Sequence, residues 1–188
     1  NWVKARFDFE HTPRFQGAAL WRILAQARAV PELELIAWYE LRDLAAGSQV
    51  IGDQNNQHLG VLSPAGEPKP AFAALTRAVA LLSPALRSVA VQARGEAGAR
   101  VEARAFQRAD GRCLIVAWLP TRTLPDNAAA VRAAFSLAAR TRSVEARASD
   151  AYGEGAESLA LHTSSTVLTD ALTLHPERTH VIEIDACE

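Results

Sequence analysis

Several features that are common in proteins are scarce or missing in this sequence. It contains no methionine, and Lys4 and Lys69 are its two lysines, so almost all positive charge comes from arginine. No run of apolar residues approaches the roughly 20 that a membrane-spanning helix needs, so we expect no transmembrane segment. The net charge is −1 without a basic tail, which argues against electrostatic capture of nucleic acid or of an anionic membrane surface.

Motifs that hold cofactors are also missing. There is no phosphate-binding glycine loop, no CxxC, no HExxH and no GxSxG, and the five histidines are scattered. The sequence therefore predicts neither a cofactor nor a metal site. Cys113 and Cys187 are too few for a disulfide framework, and they fit either one disulfide or two buried thiols. Because the chain opens on Asn1 and lacks methionine, we interpret it as a processed product or a fragment.

The N-terminal part of the chain has the pattern of an α/β unit. Thr12 and Pro13 form a helix start, with threonine as the N-cap and proline at the first helical position. Apolar residues then recur at a spacing of four, which predicts an amphipathic helix: Phe15, Ala19, Ile23 and Ala27. A buried strand is predicted over 33–41, and a second helix over 70–82.

From residue 86 onward the apolar period switches to two. Seven or so short strands alternate with turn signals, and Asp110-Gly111 predicts a tight hairpin between two of them. Short strands without a helical period indicate an antiparallel β-sandwich. We therefore predict two domains, 1–83 and 84–188, with the boundary near Ser83-Pro84.

A cluster of polar and aromatic residues follows the predicted strand. Trp38, Tyr39, Glu40, Arg42 and Asp43 occur within six positions, directly after an apolar run. In α/β proteins the ligand site lies at the carboxyl edge of such strands, which makes this cluster a candidate site. The alternative is an ordinary core strand, in which the aromatic residues pack and the charged residues lie at the surface.

Two segments resemble a known family of enzymes. The stretch AWYELRD at 37–43 and the stretch HLGVLSPAGEPKPAFAAL at 58–75 are similar to the end of the (β/α)8 barrel in bacterial clan A glycoside hydrolases, especially family 39. The resemblance implies an α/β plus all-β fold, in which the last βα units of a TIM-type barrel precede a C-terminal β-sandwich. Domain 1–83 is then helix seven, strand eight and helix eight of the barrel, and domain 84–188 is an accessory sandwich.

The same resemblance implies a retaining glycoside hydrolase that acts on or binds a polysaccharide or oligosaccharide. Its two catalytic carboxylates, about 5 Å apart, are expected upstream of Asn1, so no residue here is assigned a catalytic role and the chain alone is expected to be inactive. Trp38 is the candidate floor of a sugar subsite, because an indole packs against the C–H face of a pyranose. Glu40 and Asp43 are candidate acceptors for sugar hydroxyls. An extracellular or periplasmic location is implied.

Three hypotheses remain open from the sequence. The chain is either part of an enzyme or a non-catalytic scaffold or accessory subunit of a larger assembly, because a fold does not determine function. In both cases a remaining barrel segment or a protein partner is expected to cover 1–83. A stand-alone sugar-binding or adhesion module is the third hypothesis, and the scarcity of aromatic residues in 86–188 counts against it.

Overall fold

Two α-helices form the N-terminal part of the fold in this computed structural model, which describes residues 6–50, 54–83, 85–126, 128–163, 166–185 and 187. Helix α1 is Pro13–Arg28 and helix α2 is Pro70–Leu82, and both begin at a proline as the sequence predicts. The N-cap threonine is confirmed, because the Thr12 hydroxyl accepts a hydrogen bond from the backbone N–H of Phe15 at 3.1 Å.

The two helices pack closely against each other through small residues. Gly17 of α1 faces Ala74 of α2, and a Cβ added at Gly17 would lie 2.8 Å from the Cβ of Ala74. It would also clash with the hydroxyl group of Tyr152, which lies between the helices and the strands that follow. The absence of a side chain at position 17 therefore allows this close approach.

Ten antiparallel strands follow helix α2 in the described chain. They are β1 (Leu86–Val89), β2 (Val91–Gly95), β3 (Glu102–Arg108), β4 (Cys113–Trp118), β5 (Val131–Leu137), β6 (Glu145–Asp150), β7 (Glu157–Thr163), β8 (Val167–Thr169), β9 (Leu172–Leu174) and β10 (Thr179–Ile184). The hairpin predicted at Asp110-Gly111 is confirmed: it joins β3 to β4, with Gln107 opposite Cys113.

The strands pair in the order β1-β3-β4-β10-β6-β7-β8-β5-β2, and β9 pairs with β5. Strands β1 and β2 are consecutive in the chain yet stand at the two ends of this order. The sheet therefore curls back on itself into a nearly closed antiparallel barrel. This arrangement leaves little unpaired edge exposed.

The fold has two apolar cores that share one strand. All six residues of β4 are buried, because its alternate side chains point to opposite cores. Ile115 and Ala117 point into the barrel, whereas Leu114, Val116 and Trp118 pack on the outside against the helices. Trp21 of α1 is fully buried in this outer core. A strand buried on both faces explains the continuous apolar run CLIVAW.

The predicted fold class is wrong in its main feature. The described residues form a mostly antiparallel, nearly closed barrel with two α-helices, and not the last βα units of a TIM-type barrel followed by a sandwich. No strand forms over 33–41, where Leu35 is 80% exposed and Leu41 is 66% exposed. A buried parallel strand needs neighbouring strands on both sides. Among the described residues, the β-type contact nearest to this segment is the isolated bridge between Arg42, which directly follows it, and Leu62.

The predicted division at residue 83 remains a prediction. Helix α2 ends at Leu82 and β1 begins at Leu86, while Pro84 lies outside the described residues. Of the two alternatives left open for the cysteines, the structure has the disulfide, between Cys113 and Cys187. Neither helix in the described ranges is long and apolar enough to span a bilayer.

Candidate functional site

The segment that carries the predicted site residues is held against residues 58–62. The Asp43 backbone N–H donates to the Leu62 carbonyl at 2.9 Å, and the backbone N–H groups of Val61 and Leu62 both donate to the Leu41 carbonyl, at 3.1 and 3.0 Å. Gly60 lies so close to the backbone of Arg42 and Asp43 that any Cβ there would clash. Backbone contacts therefore position this segment without a regular sheet.

Asp43 is part of a buried ion pair with Lys69. Both carboxylate oxygens lie 2.9 Å from Lys69 Nζ, and Asp43 is 7% exposed. Lys69 Nζ also contacts the carbonyl oxygens of His58, at 3.0 Å, and Gly60, at 2.7 Å. In the sequence, Lys69 stands out only as part of the start of helix α2. Its role as a partner of Asp43, 26 positions earlier, carries no local sequence signal.

Three carbonyl groups at 58–60 converge on side chains from other parts of the chain. Gln16 Nε2 of α1 lies 3.2, 3.0 and 3.0 Å from the carbonyl oxygens of His58, Leu59 and Gly60. Trp38 Nε1 donates to the Leu59 carbonyl at 3.2 Å. This carbonyl turn, residues 58–60, therefore joins the first helix, the predicted site segment and Lys69.

Trp38 and its neighbour Tyr39 differ in their surroundings. Trp38 is half-buried, its indole N–H is satisfied by Leu59, and its ring packs at the edge of the helical core. Tyr39 is 73% exposed. The two aromatic rings thus supply one anchored and one exposed apolar surface at this end of the molecule.

Glu40 has an unsatisfied carboxylate oxygen. Its Oε1 is shielded from solvent and has no hydrogen-bond partner within the described part of the chain. A buried polar atom without a partner costs about 1–3 kcal/mol, and more when it carries charge. A hydroxyl or amide donor that approaches Glu40 would remove this cost. In the described part of this region, Glu40 therefore carries the buried side-chain oxygen that has no hydrogen-bond partner.

The structure brings two of the three predicted site residues to the same turn. Trp38 and Asp43 both connect to 58–60, the first directly and the second through Lys69. Glu40 forms no hydrogen bond through Oε1 with either of them within the described residues. The assignment of these three residues to substrate binding remains a prediction. Among the described residues, no group of three or more potential metal ligands comes together.

Two residues with large pKa shifts lie elsewhere, where helix α1 meets the turn before β10. Burial lowers the pKa of Arg22 to about 10, and its guanidinium donates to the hydroxyl of Thr179 and to two backbone carbonyls. Burial, together with the nearby His175, lowers the pKa of His180 to about 4. Because Arg22 and His180 form hydrogen bonds with other residues of the protein, we infer that they stabilise the fold.

Comparisons with known proteins give one informative result. No protein-family model matches this sequence, and no curated protein matches it. Among solved structures, the chain is similar to a family 39 glycoside hydrolase from the gut symbiont Bacteroides cellulosilyticus WH2, with a TM-score of 0.57 and 19% sequence identity. The match covers 90% of this chain and 30% of that chain, so this chain spans less than a third of its relative. At this identity the similarity concerns the fold alone.

Proposed function

We propose that this chain is the sugar-contacting part of a protein related to family 39 glycoside hydrolases. The observation that carries the proposal is the fold similarity, which extends over 90% of the chain. It agrees with the resemblance of the segments 37–43 and 58–75 to the same family. The proposed ligand is a polysaccharide or oligosaccharide.

Trp38 and Glu40 are the proposed sugar contacts. The half-buried indole of Trp38 offers an apolar surface to the C–H face of a pyranose, and the exposed ring of Tyr39 extends it. Oε1 of Glu40 is an acceptor without a partner, and a sugar hydroxyl would bind it once the side chain turns toward solvent. We propose that Asp43 acts indirectly, because Lys69 already donates to both of its oxygens and also to two carbonyl groups of the carbonyl turn.

Hydrolysis is proposed to require residues outside this chain. A retaining pair consists of two carboxylates about 5 Å apart, one of which must be free to act as nucleophile. Asp43 is bound by Lys69 on both oxygens and is not proposed for this role. The catalytic pair is proposed to lie on a part of the protein that corresponds to the unmatched 70% of the related chain, since the match covers 30% of it.

A second polypeptide surface is proposed to cover the helical part of the molecule. Among the described residues, eight of the ten exposed large hydrophobic side chains lie there, in a region that is less than half of the chain: Ile23, Val30, Leu33, Leu35, Tyr39, Leu41, Phe72 and Val79. Exposed apolar residues concentrated in this way mark an interface. The cover is either a further part of the same protein or a partner subunit. This surface is also the observation that favours the second candidate function, a non-catalytic accessory subunit.

An extracellular or periplasmic location is proposed as well. The buried disulfide between Cys113 and Cys187 supports it, because disulfides form and persist in oxidising compartments.

Sugar binding is tested by calorimetric titration of the purified protein with neutral hexasaccharides of glucose, xylose and mannose. We expect Trp38→Ala to weaken binding by about two- to tenfold, because an aromatic contact contributes about 0.5–1.5 kcal/mol. Glu40→Gln is expected to weaken it as well, because it removes the charge from the acceptor. Trp38→Phe retains a ring and is expected to retain most of the affinity.

The control variant is Val144→Ala, which changes an exposed apolar residue outside the helical part. Circular dichroism confirms that each variant is folded. Equal affinities for Trp38→Ala and Val144→Ala would exclude Trp38 as a sugar contact. Full hydrolytic activity in the isolated chain would contradict the placement of the catalytic pair outside it.

A further inference from the structure

A concave trough lies on the outer face of strands β2, β5, β8 and β7, far along the sheet order from the strands that pack against the helices. Its volume is about 270 Å³. It is lined by Arg94, Ala134, Ser136, His162, Thr163, Thr166 and Leu168. Residues 164 and 165, in the connection from β7 to β8, lie outside the described residues and are not included in this site.

The strand register places a continuous row of side chains across this face. Gln92 pairs with Ser136, Ser136 pairs with Leu168, and Leu168 pairs with His162. Because neighbouring strands lie about 4.8 Å apart, these four positions span about 14 Å at right angles to the strands. Leu168 is 41% exposed within the row and provides its apolar contact surface. A row of this length suits an extended ligand better than a small ion.

Two arginines on this face form no ion pair with a described residue. Arg94 lies opposite Ala134, two positions from Gln92, and Arg132 lies two positions further along β5 on the same face. Neither arginine forms an ion pair or hydrogen bond with a described residue, whereas the arginines at positions 14, 77 and 104 are each paired with a carboxylate. The small side chains of Ala134 and Ser136 leave the Arg94 guanidinium accessible from the trough.

Asp170 is an acidic residue close to this face. It lies 2.9 Å from His162 Nε2 and forms no ion pair with Arg94 or Arg132 among the described residues. The second ring nitrogen of His162 has no partner within the described ranges, and His162 is one of the residues that line the trough. The hydroxyl groups of Ser136, Thr163 and Thr166 add neutral donors and acceptors around the arginine.

We propose that this trough binds an anionic oligosaccharide, in which Arg94 contacts a uronate carboxylate and the hydroxyl-bearing residues contact the sugar hydroxyls. Arginine binds a carboxylate through two parallel N–H bonds, so a guanidinium without a protein partner is suited to bind a uronate carboxylate here. Single-stranded nucleic acids are held by stacking on large aromatic side chains, and no Phe, Tyr or Trp is among the described residues that line the trough. An anionic membrane would be held by clustered basic residues on a flat surface rather than by hydroxyl groups in a cavity.

The site is separate from Trp38, and the inference shares with the proposed function only the sugar class of the ligand. It also differs from the aromatic platform expected of stand-alone sugar-binding modules, because it recognises charge. Sequence reasoning missed it, since Arg94, Ser136 and His162 come from three separate strands.

The test is calorimetric titration of the purified protein with hexameric oligogalacturonate at low and at high sodium chloride concentration. The matched ligand is the methyl ester of the same hexamer, which has the same sugar backbone without the charge. We expect the acid form to bind, the ester to bind at least about tenfold more weakly, and binding of the acid form to weaken with salt.

Arg94→Ala is expected to weaken binding of the acid form by about tenfold or more. Arg132→Ala is expected to weaken it less, because Arg132 lies beyond the trough lining. The control is Arg147→Ala, which removes an exposed arginine on β6 without touching the trough. In the Trp38→Ala background, Arg94→Ala is expected to cause the same fold loss of affinity for the acid hexamer, so that failure of either sugar site is recognised separately.

Three outcomes would overturn the proposal. The first is no difference in affinity between the acid and its methyl ester. The second is equal affinity of the Arg94→Ala and Arg147→Ala variants. The third is capture of phosphatidylglycerol vesicles, or of inorganic sulfate, through Arg94 without any binding of oligogalacturonate.

Discussion

Replacing Arg22 by methionine tests whether a buried cation joins helix α1 to the turn that leads into β10. The Arg22 side chain is 8% exposed. Its Nε donates to the Thr179 hydroxyl at 3.0 Å, and Nη2 donates to the carbonyls of Pro176 at 3.1 Å and Arg178 at 2.8 Å. The guanidinium also lies 4.9 Å from the centre of the Phe15 ring. Methionine retains much of the length but none of these donors.

The expected loss of stability depends on the groups that the substitution leaves without a partner. The carbonyl of Pro176 loses its donor in a buried position and that of Arg178 in a partly buried one, and an unsatisfied buried group costs about 1–3 kcal/mol. Part of this cost is offset because a buried cation no longer has to be desolvated. We therefore expect Arg22→Met to lower the free energy of unfolding by about 3 kcal/mol. In a protein of this size, such a change lowers the melting temperature by about 6–12 °C.

Urea unfolding followed by tryptophan fluorescence measures this change, because Trp21 is fully buried in the folded protein. The matched control is Arg28→Met, which makes the same substitution at an exposed position of the same helix and is expected to change stability by less than about 0.5 kcal/mol. If the two variants unfold at the same urea concentration, the hydrogen bonds of Arg22 do not stabilise the fold and the reasoning is refuted.

The packing and the buried charges lead to three further predictions. Gly17→Ala inserts a Cβ against Tyr152 and α2 and should lower the free energy of unfolding by about 2 kcal/mol in the same assay; unchanged stability would show that the helices separate freely. Lys69→Met leaves Asp43 buried and charged, so we expect a loss of about 3 kcal/mol, partly recovered by adding Asp43→Asn. The pKa of His180 is about 4 when folded and about 6.5 when unfolded. As the pH falls from 6.5 to 4 the unfolded state therefore binds a proton that the folded state does not, and stability should fall by about 3 kcal/mol. The His180→Gln variant should lack this part of the pH dependence, and an unchanged slope would contradict it.

Local sequence signals predicted the regular elements well where the physics is itself local. Pro13 and Pro70 start the two helices as expected, since a proline at the first helical position loses no hydrogen bond. Asp110-Gly111 turns the β3–β4 hairpin, because Gly111 adopts a positive φ of 81° that glycine tolerates without strain. These features depend on residues within a few positions of one another.

The candidate site shows where local reasoning stops. The apolar run at 33–41 has the composition of a buried strand, yet a strand forms only if other strands stand beside it, and none does within the described residues. The pairing of Asp43 with Lys69 was likewise outside the reach of sequence patterns, because it joins positions that only the carbonyl turn brings together. The trough around Arg94 depends on the strand order in the same way.

The amino-acid sequence by itself therefore determined the helix starts, the hairpin turn, the alternation that marks the strands and the absence of recognisable cofactor motifs. Only the tertiary structure decided that the strands close into one curled sheet, that Cys113 pairs with Cys187, and that Asp43 is bound by a lysine. The physical reason is the range of the interactions. Turns, caps and side-chain alternation are set by neighbours along the chain, whereas sheet order, burial and ion pairing are set by residues that only the folded chain brings into contact.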